Sequence, residues 1–438
     1  MNVILLSGGS GKRLWPLSND IRSKQFIKIF RNEDGTYESM VQRVYRGIRA
    51  ADPEAKITIA TAKSQLSSIF NQLGDGVDVS VEPCRRNTFP AIALATSYLR
   101  HRMGVDPEES VVVCPVDPYV DQSYFEALKE LSVQADKGEA NLVLMGIEPT
   151  YPSEKYGYIL PTSTEQVAEV SAFKEKPTAD VAQQYIDRGA LWNGGVFAYT
   201  LRYVMDKAEE LMGTSDYQTL FDSYATLNKI SFDYAVVEHE KKIQVCRYSG
   251  QWKDLGTWNT LTEAMEESVV GKGILADTCK GVHIVNELDV PVLAMGLRDV
   301  VISVSPQGVL VSDKEQSSYI RPFVDGIEEQ VMFAEKSWGS YRVMDAESEA
   351  LTIKVTLNPG HGMNYHSHQR RDEVWVVISG RGEATVDGIK RPVAPGDVIC
   401  MKAGSCHTVD AITELKLIEV QLGQDITVSD KHKHDRPE

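Results

Sequence analysis

Two groups of residues have the types and spacing to do chemistry. The first is Gly8-Gly9-Ser10-Gly11-Lys12-Arg13, directly after an apolar run over residues 3–6. Glycines reach positive φ at little cost and let main-chain N–H groups approach phosphate oxygens closely. Arg13, and Lys24 further on, bring charge that neutralises a triphosphate. The spacing fits neither a dinucleotide fingerprint nor a Walker loop, and many strand-to-helix turns hold glycine for structural reasons alone. The second group is His366-Ser-His368, then Glu373, then His407. Three imidazoles and one carboxylate form a donor set for Zn, Fe, Mn or Ni. The plainer alternative is a metal-free polar pocket.

These side chains need elements to hold them. Short apolar runs at 3–6, 57–60, 111–114 and 142–145 predict buried central strands. Amphipathic stretches at 90–101 and 124–135 predict helices between them. Alternating strands and helices imply an α/β, Rossmann-like domain with a mostly parallel, doubly wound sheet. Asp117 then falls just past the 111–114 strand, at the carboxyl end where open α/β sheets bind ligands. After about Glu267 the text turns to Val, Ile and Leu runs broken by tight turns. Residues 317–335 read as a linker with some helical propensity. From Trp338 to Gly423 strands alternate with turn signals such as Asn358-Pro359-Gly360 and Asp387-Gly388, as in a small β-barrel. The expected division is 1–267, a β-rich connector over 268–334, and 335–438. Residues 425–438 are polar and charged and are expected to fray. No internal repeat is visible.

Composition narrows the function classes. The 438 residues carry 46 Lys and Arg against 62 Asp and Glu, a formal charge of −16. So acidic a chain is a poor non-specific nucleic-acid binder and must gather cations locally to hold a phosphate. Six scattered cysteines without a CxxC pair fit a reducing compartment better than disulfides. No apolar stretch approaches a membrane span, and the start lacks a basic segment before its short apolar run. A cytoplasmic protein, binding neither nucleic acid nor membrane, is expected.

The longer string from Gly8 to Ser18, Gly-Gly-Ser-Gly-Lys-Arg-Leu-Trp-Pro-Leu-Ser, followed by Lys24-Gln25-Phe26, is more specific. It resembles the signature of the sugar-1-phosphate nucleotidyltransferases, the mannose-1-phosphate guanylyltransferases in particular. Further segments fit in the same order: Glu82-Pro83 with Arg86-Asn87-Thr88, Pro115-Val116-Asp117, Tyr156-Gly157-Tyr158-Ile159 and Phe173-Lys174-Glu175-Lys176-Pro177. Trp192-Asn193-Gly194-Gly195, Phe232-Asp233-Tyr234-Ala235 and Trp252-Lys253-Asp254-Leu255-Gly256 complete the series over roughly the first 260 residues. Lys12 stands where the family usually has Thr or Ser, and Pro118 where a His is common.

The resemblance implies GTP and mannose 1-phosphate as substrates, with GDP-mannose and pyrophosphate as products. It implies Arg13, Lys24, Asp117 and Asp254 as catalytic residues, the two aspartates holding Mg²⁺. Gly8, Gly9, Gly11, Lys12, Glu82, Asn87 and Thr88 would bind the nucleotide. Glu82 would accept from the guanine N1–H and amino group. Gly157, Glu175, Lys176 and Asn193 would bind the sugar phosphate. Another sugar phosphate or NTP stays open, as does a non-catalytic sugar-nucleotide sensor, although a sensor has no need of the full phosphate and metal set.

Gly360, His366, His368, Glu373 and Gly380 have the spacing of the first cupin motif; Gly396 and Ala403-Gly404-Ser405-Cys406-His407 match the second imperfectly. Trp338-Gly339, Arg371 to Trp375 and Ile418-Glu419-Val420-Gln421 resemble the mannose-6-phosphate isomerase half of bifunctional enzymes. His366 replaces a usual Gln, and the tail is short. Isomerase activity and a barrel kept for folding or for a homo-oligomer, which is the expected assembly, remain open alternatives.

Overall fold

The structure is a computed structural model and describes every residue except Ser10, Asp20, Glu328, Glu329, Asp425, Pro437 and Glu438. It divides into two units. The first comprises Met1–Ser10, Ser23–Leu66 and Gly76–Glu266; the second comprises Gly11–Arg22, Ser67–Asp75 and Glu267–Glu438.

The first unit is built on a nine-stranded sheet. Its order is Asp78–Glu82, Lys56–Ala62, Asn2–Ser7, Ser110–Pro115, Leu191–Thr200, Leu142–Ile147, Ile243–Tyr248, Val167–Lys174 and Tyr158–Pro161. The first four strands are mutually parallel. Leu191–Thr200 runs antiparallel to both neighbours, and Val167–Lys174 antiparallel to both of its own, so the other seven strands share one direction. The apolar runs become fully buried strands because helices pack over them, notably Thr88–His101 and Gln122–Asp136. Val111, Val112 and Val113 have no exposed surface. The helix starts are capped: Asn87 Oδ1 accepts the Thr88 N–H and Asp121 accepts the Ser123 N–H.

In the second unit residues 269–313 wind as a short solenoid. Val269–Gly271, His283–Asn286 and Val300–Ser305 lie parallel in one sheet, Gly308–Asp313 closes it antiparallel, and Gly273–Leu275 pairs with Val292–Ala294. Val282, Ile284, Ala294, Ile302 and Val304 form its core. The linker predicted over 317–335 holds the short helical turns Gln316–Tyr319 and Arg321–Val324.

Beyond it stand two facing sheets of six and five strands. Alternate residues of Arg371–Ser379 and Leu415–Gly423 are buried, so Arg371, Glu373 and Trp375 point inward with Glu419 and Gln421. In the tail expected to fray, Asp425, Pro437 and Glu438 lie outside the described residues, and the described part is tied down. His432–Lys433 pairs with His366–Ser367, Asp430 accepts the Gln369 and Arg370 N–H groups, and Arg436 bonds Asp410. Local polarity misled the sequence reading here because these partners come from more than 25 residues away.

Candidate functional site

Asp117 follows the Ser110–Pro115 strand, and the next segment, Pro118–Val120, pairs antiparallel with Trp252–Asp254. Asp254 lies opposite Pro118, so this ribbon brings two carboxylates far apart in sequence side by side. Pro118 at the first position of a short strand gives up no necessary bond. Lys24 stands between the two aspartates, 2.9 Å from Asp117 and 3.5 Å from Asp254. Its turn is anchored by Gln25 and Phe26, both buried. Burial works to lower the Lys24 pKa, but the two carboxylates outweigh it and raise the value. Two adjacent carboxylates already gathering a cation fit Mg²⁺, a hard ion that takes one or two carboxylates and leaves its other positions to phosphates and water.

The turn after the first strand is fixed from beneath. Gly9 has φ +109, and its carbonyl accepts from Ser23 Oγ at 3.1 Å, Gln65 Nε2 at 3.3 Å and Arg85 Nη2 at 3.3 Å. Three donors on one oxygen turn that lone-pair density inward, away from any approaching anion. Gly8 and Gly9 belong to the first unit. Gly11, Lys12 and Arg13 group with the second, where Lys12–Leu14 is a 3₁₀ turn, Leu14 is buried and Arg13 is exposed.

Asp117, Asp254, Gly157, Glu175, Lys176 and Asn193 all line one cavity of about 220 Å³. Gly157 is the point of closest approach: a Cβ there would meet Glu175 Oε2 at 2.5 Å and the Phe173 ring at 2.9 Å. The Gly157 carbonyl accepts the Asn193 N–H at 2.8 Å. Glu175 is 6 % exposed, and its Oε2 has no hydrogen-bond partner among the described residues. A buried acceptor left open is costly unless something donates to it. Lys176 pairs with Glu175; burial works to lower its pKa, and Glu175 raises it overall. Its main chain sits at φ +44, an unfavourable conformation for lysine.

The proposed base-binding residues have local partners. Glu82 is buried and accepts the Tyr224 hydroxyl at 2.7 Å; burial raises its pKa against that bond and Arg85. Thr88 Oγ1 accepts the Phe232 N–H. Sequence reasoning gave no role to Asp233 or Trp252, which line the same cavity. The quoted Phe232-Asp233-Tyr234-Ala235 and Trp252-Lys253-Asp254 strings were the available signals.

The second unit brings His366, His368, Glu373 and His407 together, one donor atom from each lying within 4.8 Å of the others. His366 and His407 face each other across paired strands of one sheet, and Glu373 comes from the other. Burial, first, lowers His366 to about 2 and His368 to about 4, so both imidazoles are neutral at pH 7, as metal ligation requires. The main-chain carbonyl of Asp430 lies 2.9 Å from His368 Nδ1, which assigns the proton to Nδ1 and leaves Nε2 as the donor atom. Nε2 of His368 lies 3.1 Å from Glu373, and His407 Nε2 also lies 3.1 Å from Glu373. Imidazoles around a buried carboxylate fit a divalent transition metal. Arg371 donates to Glu373 and lies 3.1 Å from His368 Nε2, and Glu419 and Gln421 are buried as well; the Arg371–Trp375 and Ile418-Glu419-Val420-Gln421 strings were their signals in sequence.

The nucleotidyl transferase family matches residues 2–269, and the family described as mannose-6-phosphate isomerase C-terminal matches residues 327–435. A putative mannose-1-phosphate guanylyltransferase of Vibrio cholerae is 28% identical over 98% of this chain and 98% of its own. The mannose-1-phosphate guanylyltransferase of Escherichia coli K12 is 28% identical over 96% of this chain and 95% of its own. A crystal structure described as a mannose-1-phosphate geranyltransferase from Thermus thermophilus superposes with a TM-score of 0.63 at 27% identity. It covers 74% of this chain and 98% of that one. With the first of these matches spanning more than half of its length, the chain belongs to the nucleotidyl transferase family.

Proposed function

We propose that this protein transfers a guanylyl group from GTP to mannose 1-phosphate, forming GDP-mannose and pyrophosphate. One observation carries the reading: a single cavity is lined by Asp117 and Asp254 together with Glu175, Lys176 and Asn193. An anchor for phosphates thus shares a cavity with a site for a phosphorylated polyol. A sugar-phosphate oxygen attacks the α-phosphorus, a new P–O bond forms, and the bond to the β-phosphate breaks as pyrophosphate leaves with the electron pair. The attacking phosphate is already ionised, so the protein's work is alignment and charge neutralisation rather than proton removal. Asp117 and Asp254 would hold Mg²⁺, which when bound neutralises phosphate charge. Lys176 takes the sugar's phosphate, releasing Glu175 to accept sugar hydroxyls. Gly8 and Gly9 take the triphosphate, and the loop with Glu82, Asn87 and Thr88 takes the guanine. Such a reaction, with six free thiols, belongs in a reducing, GTP-rich cytoplasm. The test is product identification by mass after incubation with Mg²⁺, GTP and mannose 1-phosphate. A GDP-hexose is expected, and no nucleotide sugar from this pair would refute the assignment.

A second reading concerns the barrel-like domain. His366, His368, Glu373 and His407 would hold a transition metal, and the inward Arg371, Glu419 and Gln421 favour catalysis there over a purely structural core. Interconversion of mannose 6-phosphate and fructose 6-phosphate needs a base that moves a proton between adjacent carbons, and the buried Glu419 is a carboxyl that could serve. A coupled assay for fructose 6-phosphate decides it; metal-loaded protein without turnover would leave a single activity.

A further inference from the structure

The Phe232-Asp233-Tyr234-Ala235 string has no part in the assignments above, yet its aspartate lies in the cavity with Glu175, Lys176 and Asn193. Asp233 opens a π-helical turn, Asp233–Val237, closed by the Glu238 N–H donating to the Asp233 carbonyl at 3.0 Å. Such turns are rare and concentrate at functional sites. Both ends of this one grip the sugar side of the cavity. Asp233 Oδ1 accepts from Asn193 Nδ2 at 2.7 Å, while Asn193 Oδ1 accepts the Gly195 N–H at 3.1 Å. The Asn193 amide is therefore fixed in one orientation. At the other end Glu238 Oε1 accepts the Glu175 N–H at 3.4 Å.

The carboxyl takes the Asn193 amide on Oδ1 and a hydrogen bond from its own main-chain N–H, and it lines the cavity. Burial, first, and then repulsion from the Glu175 carboxylate push the Asp233 carboxyl up to about 6; the Asn193 bond and Lys176 oppose this. Two carboxylates crowded beside one lysine destabilise each other unless donors arrive. A hexose brings donors: each hydroxyl carries one O–H, and neighbouring hydroxyls reach adjacent acceptors.

On the transferase reading above, we propose that Asp233 is a specificity-determining carboxylate of the sugar subsite, its Oδ2 accepting one hydroxyl of the hexose 1-phosphate while Oδ1 holds Asn193. Glu175 and Asp233 then form a pair of acceptors that read two hydroxyls of the same ring. Glu238 is a positioning residue that acts through the Glu175 main chain.

The experiment is a substrate cycle on the full chain. Asp233→Asn keeps the shape and an acceptor for Asn193 but removes the charge. KM for mannose 1-phosphate should rise roughly tenfold to a hundredfold, the usual weight of a charge-assisted hydrogen bond, with KM for GTP within about twofold. The 2-, 3- and 4-deoxy mannose 1-phosphates are then compared in both proteins. One of them should show no further loss from D233N, because the hydroxyl that Asp233 reads is already gone. Equal D233N penalties across the whole panel, or none, would overturn the proposal. If D233N does not fold, D233E goes through the same panel, judged by the same two results. Should the unaltered enzyme prefer another hexose 1-phosphate, its deoxy derivatives replace these. Failure of the unaltered enzyme with every hexose 1-phosphate would overturn the transferase reading, and this inference with it.

Discussion

Lys176 is tied to Glu175 by an ion pair and held at φ +44. Backbone strain of that kind costs on the order of 1–3 kcal/mol and persists where surroundings impose it. A sugar phosphate gives the ammonium a doubly charged partner and frees Glu175. Lys176→Ala should therefore raise KM for the sugar phosphate by roughly 10–100-fold, as expected for a charge-assisted contact, with KM for GTP little changed. Steady-state kinetics with each substrate varied in turn checks this, and an effect confined to GTP would reassign the residue. Asp117→Ala should lower kcat/KM by roughly 3 kcal/mol of transition-state stabilisation, comparable to losing one preorganised electrostatic contact. Near-normal kcat/KM would place the chemistry elsewhere. That Gly157, Glu175, Lys176 and Asn193 share one cavity was legible because the strings that carry them are short and local. The placement of Asp233 and Gln65 was not: each bonds a partner, Asn193 or Gly9, that lies 40 or 56 positions away.

Elements carry these residues by register. The antiparallel ribbon of Pro118–Val120 with Trp252–Asp254 is only three residues long on each side, yet it sets the spacing of Asp117 and Asp254. Neither strand is readable from periodicity, since three residues show no period. The longer central strands were legible because continuous apolar runs mark burial on both faces. The solenoid escaped notice as a repeat because its parallel register joins Val269 to Ile284 and Ile284 to Ile302, unequal spacings of 15 and 18 residues. The terminal strand His432–Lys433 is another short element with a large duty, since Asp430 just before it fixes the His368 tautomer. Ending the chain at Gly423 should weaken transition-metal affinity by roughly 10–100-fold, the usual effect of losing an outer partner of a metal-bound imidazole. Competition titration against a chromogenic chelator checks this. Unchanged affinity would make the tail irrelevant to the metal.

At the scale of the whole molecule the two sites are chemically separate. The transferase cavity draws all of its lining from the first unit, and the His–Glu cluster lies wholly in the second. His368→Ala should thus abolish stoichiometric metal binding, read by elemental analysis, and leave guanylyl transfer within about twofold. A parallel loss of transfer would show that the units depend on each other. The net charge of −16 also bears on the reaction: an acidic surface repels both anionic substrates except where cations collect, so catalysis should be sensitive to ionic strength. The central claim concerns which pair of anions the cavity joins, and the most direct measurement is pyrophosphate release with each of the four NTPs against mannose, glucose and galactose 1-phosphates at fixed Mg²⁺. GTP with mannose 1-phosphate should give the highest kcat/KM, at least about tenfold above any other pair, the discrimination expected of about 1.4 kcal/mol. Release with UTP and glucose 1-phosphate, and none with GTP and mannose 1-phosphate, would contradict the account.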